Sequence, residues 1–214
     1  MLYIFDWDGT LSNSLERIVV SMERAFIDAN KAVPDAEARK SVIGLSLENA
    51  FSELHPGADA VLLERLTGYY RGHYLDLDAE IPSPLFDGAM DLLEALKQQG
   101  HQLAVATGKS RRGLDRILSH MELHNFFDAS RCADETRSKP HPQMLEEILG
   151  ETSVRASDAL MVGDTDFDIL MAKHASMGSI AVTYGAHSHE RLAKSNPDRM
   201  IDQLSELLEP MLVE

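Results

Sequence analysis

Near its start the chain reads Asp6, Trp7, Asp8, Gly9, Thr10, so two carboxylates stand two residues apart where the apolar run Leu2 to Phe5 ends. On an extended strand, residues i and i+2 point to one side. Such a pair can divide nucleophilic and acid–base work between its members, and Gly9 permits a tight turn beyond them. Three other places carry complementary groups. The run Leu103 to Ala106 ends in Thr107, Gly108, Lys109 and Ser110, a hydroxyl and free amides at the head of the next helix, which suits a phosphate oxygen. The run Ala159 to Val162 ends in Gly163, Asp164, Thr165, Asp166, Phe167 and Asp168, with three acids crowded at one strand end. Lys139 sits in Ser138, Lys139, Pro140, His141, Pro142, where prolines stiffen the backbone ahead of a helix.

Something must bring these segments together. Leu2 to Phe5, Leu103 to Ala106, Ala159 to Val162 and Ile180 to Val182 are short apolar runs bounded by small or polar residues, the pattern of buried parallel strands. Between them, helical spacing appears in Met90, Leu93 and Leu96 before Gly100, and in Leu114, Ile117, Leu118 and Met121. Strand and helix alternate from about residue 83 onward. This order predicts an α/β fold, a doubly wound, mostly parallel, Rossmann-like sheet that gathers ligands outside the carboxyl ends of its strands. Residues 14–81 interrupt the alternation. One helix there presents Ile18, Val19, Met22, Ala25, Phe26 and Ala29 on one face, and a later one presents Leu62, Leu66, Tyr69 and His73. Ser12 to Ser14 and Pro82 to Pro84 mark the junctions. The expected division is a catalytic core of 1–13 and 82–214 with an inserted α-helical cap of 14–81, built as a lid or as a rigid helical subdomain.

Each motif alone has an ordinary alternative: a strand-ending turn at Asp8 and Gly9, a plain cap at Thr107 or Asp166, a solvated Lys139. Together they are harder to dismiss. In the proposed winding Asp6, Asp8, Thr107 and Asp164 converge at one sheet edge. Carboxylates about 4 Å apart repel by roughly 4 kcal/mol per pair at an effective dielectric near 20. Lys139 supplies only one compensating charge, so a cation is expected there. An all-oxygen set with few protein ligands suits Mg²⁺, which keeps water and also binds substrate phosphate; calcium fits less well, since no twelve-residue loop with a terminal Glu is present.

The chain has 35 acidic residues against 20 Lys and Arg, a net charge of −15. That charge disfavours nucleic acid and anionic membranes as partners, and leaves a small, metal-complexed anion. No apolar run reaches the eighteen or so residues that a membrane-spanning helix requires, and Leu2 to Phe5 meets acids too soon for a signal peptide. The single Cys132 excludes an internal disulfide and any cysteine-based zinc site. A cytoplasmic protein, monomer or homodimer, acting on a small phosphorylated metabolite is expected.

Asp6-x-Asp8-Gly-Thr, Thr107, Lys139 and Gly163-Asp164-x-x-x-Asp168, in this order and spacing, resemble the haloacid dehalogenase superfamily across the whole core. The insertion directly after the first motif is similar to that of the helical-cap branch, with its phosphoglycolate phosphatases, β-phosphoglucomutases and sugar-phosphate phosphatases. The resemblance implies Asp6 as the nucleophile and Asp8 as the general acid and base. It implies Thr107, the Gly108 amide and Lys139 as the phosphate cradle. For Mg²⁺ it implies Asp6, the Asp8 carbonyl and Asp164, with Asp168 acting through water or by orienting Lys139. Asp8 also sets the chain apart from the dehalogenases it resembles, which lack that second acid. The expected activity is Mg²⁺-dependent hydrolysis of a small phosphate monoester, phosphoglycolate or a phosphosugar, through a phospho-aspartyl intermediate. The alternatives are a β-phosphoglucomutase-like phosphomutase and a non-catalytic Mg²⁺ and phosphate binder. His187 and His189 lack a third ligand at useful spacing and read as an exposed loop. Gly44 to Glu48 and Arg71 are placed where they can face the cleft, whereas Tyr69 and His73 read as packing.

Overall fold

The computed structural model describes residues 1–208, so residues 209–214 of the expected core lie outside the described residues. Six strands form one all-parallel sheet: β1 (Leu2–Phe5), β2 (Gln102–Thr107), β3 (Ala129–Cys132), β4 (Ala159–Gly163), β5 (Gly178–Val182) and β6 (Arg199–Ile201), in the order β3-β2-β1-β4-β5-β6. The α/β class and the four expected strands are observed; β3 and β6 complete the two edges. Phe5 pairs with Val105 on one side and Val162 on the other. Asp6, Thr107 and Asp164 are therefore within a residue or two of the same carboxyl edge.

Nine helices are found among the described residues. The sheet is covered on both faces by α5 (Ala89–Gln98) and α6 (Arg111–His120) on one side, and by α7 (Gln143–Thr152) and α8 (Asp166–His174) on the other; α9 (His189–Lys194) follows β5. The alternation of β1 explains this division. Tyr3 and Phe5 join Leu93, Leu96 and Leu114 in one cluster, while Leu2 and Ile4 join Met144, Ile148 and Met171 in the other. Burial on both faces is why these strands read as continuous apolar runs.

The other four helices are α1 (Leu15–Asp28), α2 (Ala36–Ser41), α3 (Leu47–Leu54) and α4 (Ala60–Asp76). They share a cluster of their own around Ile18, Met22, Phe26, Phe51, Leu66 and Tyr70, with only Ala186 and Phe167 reaching it from the sheet side. The face expected for α1 is the buried one. On α4 the buried stripe is Leu66, Tyr70, Tyr74 instead of Leu62, Leu66, Tyr69, His73. Adjacent tyrosines made either stripe compatible with helical spacing, and packing of Tyr70 on Phe51 and Tyr74 selects the second. The chain leaves and re-enters the sheet region at one point: Asn13 N donates to Pro84 O at 2.8 Å and Ser12 Oγ to Ser83 O at 3.1 Å.

Candidate active site

Asp6 lies just past β1 and is buried, as are Lys139, Asp164 and Asp168. Lys139 Nζ bridges Asp6 Oδ1 at 2.8 Å and Asp168 Oδ1 at 2.7 Å. Asp168 is fixed in turn by α8, whose N-cap Thr165 donates to Asp168 Oδ2 from both N (3.1 Å) and Oγ1 (2.7 Å) in a capping box. Asp164 accepts from Thr10 Oγ1 at 2.9 Å and from Ala186 N at 2.7 Å. Gly9, at φ +82°, passes so close that an added Cβ would lie 2.2 Å from Asp164 Oδ2, so this turn requires glycine. Burial raises the Asp6 carboxyl well above its ordinary range; Lys139 opposes this, and Asp168 and Asp164 add to it. Burial likewise pushes Asp164 up to about 6, with Asp168 contributing. Burial alone would lower Lys139, but Asp168 and Asp6 hold it above the usual lysine value.

Asp8 has different neighbours. Its Oδ1 accepts from Ser14 Oγ at the entry to α1, and Lys109 Nζ lies 2.9 Å away. Lys109 also donates to Tyr74 OH at 3.2 Å, and Arg17 of α1 donates to the same oxygen at 3.0 Å. Burial acts to lower Lys109, but Asp8 and Tyr74 hold it above its ordinary value.

Thr107 ends β2, buried, with Oγ1 accepting from Lys109 N at 3.2 Å. Gly108 is pressed by the loop after α2: a Cβ there would lie 2.6 Å from Leu45 O and 2.8 Å from Gly44 O. Asp6, Asp8, Gly108 and Lys109 open on a cavity of about 500 Å³, whose remaining wall comes from α1, residues 42–50, α4, α6, Ser110 and Asp134. The Gly44 to Glu48 loop faces this space through Gly44, Leu45 and Leu47, as expected.

A family profile described as haloacid dehalogenase-like hydrolase matches residues 3–182. The chain belongs to the haloacid dehalogenase-like hydrolases. "Probable phosphatase IndB" of Dickeya dadantii (strain 3937) is 35% identical over 212 residues, covering 97% of this chain and 91% of that protein. "Pyrophosphatase PpaX" of Bacillus cereus (strain Q1) is 30% identical over 209 residues, covering 96% and 93%. A solved structure described as a predicted phosphoglycolate phosphatase from Haemophilus somnus 129pt superposes with a TM-score of 0.81 at 27% identity, covering 97% of this chain and 96% of that one. The enzyme class is a hydrolase of the phosphatase kind, as the sequence led us to expect.

In this haloacid dehalogenase-like chain, Asp6, Asp164 and Asp168 each offer an oxygen within 4.8 Å of the others. Three buried carboxylates face one ammonium, and Asp6 Oδ2 is buried with no hydrogen-bond partner among the described residues. That charge excess and that free oxygen fit a divalent cation. Asp168 also contacts Lys139 Nζ at 2.7 Å. The main departure from expectation is His187. It is buried, with Nδ1 3.0 Å from both Asp166 N and Asp166 Oδ1 and Nε2 3.0 Å from Ser41 O, while His189 is exposed. Arg191 pairs through Nε and Nη2 with Asp166 at 2.7 and 3.0 Å and also reaches Ser41 O at 3.2 Å. His187 thus ties α2 to α8, a long-range role that two histidines in a loop do not signal. Lys109, Ser14 and Tyr74 were likewise not singled out by sequence. Lys109 stood inside the Thr107 motif, but nothing local in the sequence places it beside Asp8.

Proposed function

We propose that this hydrolase removes the phosphoryl group from a small phosphate monoester with Mg²⁺, carrying it on Asp6 between two displacements. The observation that supports this most is Asp6 itself: a buried carboxylate with one oxygen held by Lys139 and the other free, opening on a large cavity beside a second carboxylate. A carboxylate has about four lone-pair positions, so ligation and attack need not compete for one of them. Asp6 attacks phosphorus, the ester P–O bond breaks, and Asp8 gives its proton to the departing alkoxide. Asp8, now ionised, takes a proton from water as that water attacks phosphorus, and the bond to Asp6 breaks to release inorganic phosphate. Lys139, Thr107 Oγ1 and the Gly108 amide hold the equatorial oxygens as charge builds on them. Asp6, Asp164 and the Asp8 carbonyl would hold Mg²⁺, which when bound would supply positive charge against those oxygens.

On this reading residues 14–81 are a cap on a core of 1–13 and 82–208. Their separate apolar cluster and the side-by-side junctions at residues 12–14 and 83–84 support that division. Contacts of Ser14 with Asp8, and of Tyr74 with Lys109, couple the cap to the acid–base residue.

The test is phosphate release with Mg²⁺ from a panel including phosphoglycolate, hexose phosphates and inorganic pyrophosphate, for the native chain and Asp6→Asn. Release that needs Mg²⁺ and disappears in Asp6→Asn is expected. Release surviving in the variant sinks the aspartyl-phosphate route, and interconversion of hexose phosphates without release makes the enzyme a mutase.

A further inference from the structure

In a chain this acidic, arginines that reach the core or its edges generally find carboxylates: Arg17, Arg39, Arg111, Arg131 and Arg191 all do. Three arginines of the cavity wall do not. Arg71 on α4, and Arg112 and Arg116 on α6, are exposed there, and their guanidinium groups make no ion pair or hydrogen bond among the described residues. Arg112 and Arg116 are four residues apart on one helical face, a like-charge spacing that weakens a helix. Arg112 also sits in the first turn of α6, where the helix dipole disfavours a cation; the acid at that end is Asp134, whose Oδ1 accepts from Arg111 N at 2.8 Å without an ion pair to Arg112. Both costs are relieved by an anion arriving between the arginines.

Apart from the residues around Asp6 and Asp8, and from Ser110 and Asp134, the rest of the wall is largely apolar. Ile18, Met22, Val42, Ile43, Leu47 and Tyr70 line the same space, and hydroxyls placed against them would lack partners. A volume of about 500 Å³ lies in the range of roughly 300–1,000 Å³ that encloses a ligand of several rings' size. Glycolate would leave most of it unfilled.

We propose that the leaving group of the substrate is an apolar, ring-bearing body ending in a second anionic group, a carboxylate or a phosphate, received by Arg71, Arg112 and Arg116. This rests on the phosphatase reading above and narrows its substrate class. The probes are the phosphate ester of 4-hydroxyphenylpropionate, the methyl ester of the same compound, an analogue with a terminal phosphate in place of the carboxylate, and phosphoglycolate, each with Mg²⁺. The free acid or the terminal phosphate is expected to exceed the methyl ester by about tenfold in kcat/KM, the scale of one charge-assisted contact, and to exceed phosphoglycolate. Which of the two is faster identifies the anion. In the Arg112→Gln, Arg116→Gln double variant the ratio of charged to methyl ester is expected to collapse toward one, through KM. A ratio near one in the native protein overturns the second anionic group, and faster turnover of phosphoglycolate than of any aryl ester overturns the apolar body. In both cases Asp6-dependent release would leave the phosphatase reading standing. No release from any of these or from the wider panel removes both readings together.

Discussion

Asp6 and Asp8 are separated by one residue, yet different parts of the molecule hold them. Among the described residues, the partners of Asp6 belong to the sheet, its loops and α8: Lys139 by direct contact, Asp164 and Asp168 through the same buried cluster. Asp8 is held by Ser14, and by Lys109 together with Tyr74, so two of those three residues lie in the helical insertion. The difference teaches that the two halves of the chemistry can be disturbed separately. In the proposed mechanism, metal and nucleophile would depend on the sheet edge, whereas proton transfer would depend on how α1 and α4 sit against it.

The largest effect should come from Lys139→Met, which leaves three buried carboxylates without their ammonium. Breaking a buried pair costs about 3–5 kcal/mol, on the order of 10 °C in Tm for a chain of this size. Activity should be lost as well, and a Tm fall no greater than that of Lys109→Met would remove the asymmetry claimed above. Next comes metal removal. Mg²⁺ at a hundred times its Kd should stabilise the native protein by about 2.7 kcal/mol, an increment that a chelator abolishes and that Asp164→Asn lacks in thermal melts. Lys109→Met should lower kcat by roughly a hundredfold, within the span of acid–base contributions, while keeping the Mg²⁺-dependent rise in Tm. If that rise vanishes too, the two halves are not separable.

The smallest effect concerns the second tie between insertion and sheet. Burial alone would raise Asp166, but His187 and Arg191 bring it down to about 2, below its unfolded value of about 3.9. A carboxyl lowered on folding stabilises fully above the unfolded value and loses that contribution as pH falls through the folded one. Asp166→Asn should therefore be less stable than the native chain at pH 6 in urea titrations, with the gap closing between pH 4 and pH 2. An equal gap at all three pH values contradicts the ion-pair account.

The reactive groups were legible because they follow apolar runs whose parallel pairing leaves little choice about where Asp6, Thr107 and Asp164 go. Lys139 was legible only through the family resemblance, since nothing in a proline-flanked lysine announces burial. The edge strands were missed for a physical reason. Ala129–Cys132 carries Ser130 and Arg131 at half-buried positions, and Arg199–Ile201 is three residues long. Neither offers the continuous apolar run that a doubly covered strand shows. The cavity was beyond reach because its wall is assembled from six separate segments, and no local spacing records that Arg71 of α4 shares it with Arg112 and Arg116 of α6.

Position in the sheet has a further consequence for how the protein comes into being. The strand ahead of Asp6 is synthesised well before its neighbours, residues 102–105 and 159–162. At about 5–20 residues per second, roughly ten to thirty seconds separate the synthesis of β1 from that of its second partner. During that interval α1 and α4, which pack on each other within the first eighty residues, can already be in place. Asp6 is translated before the strands that house it.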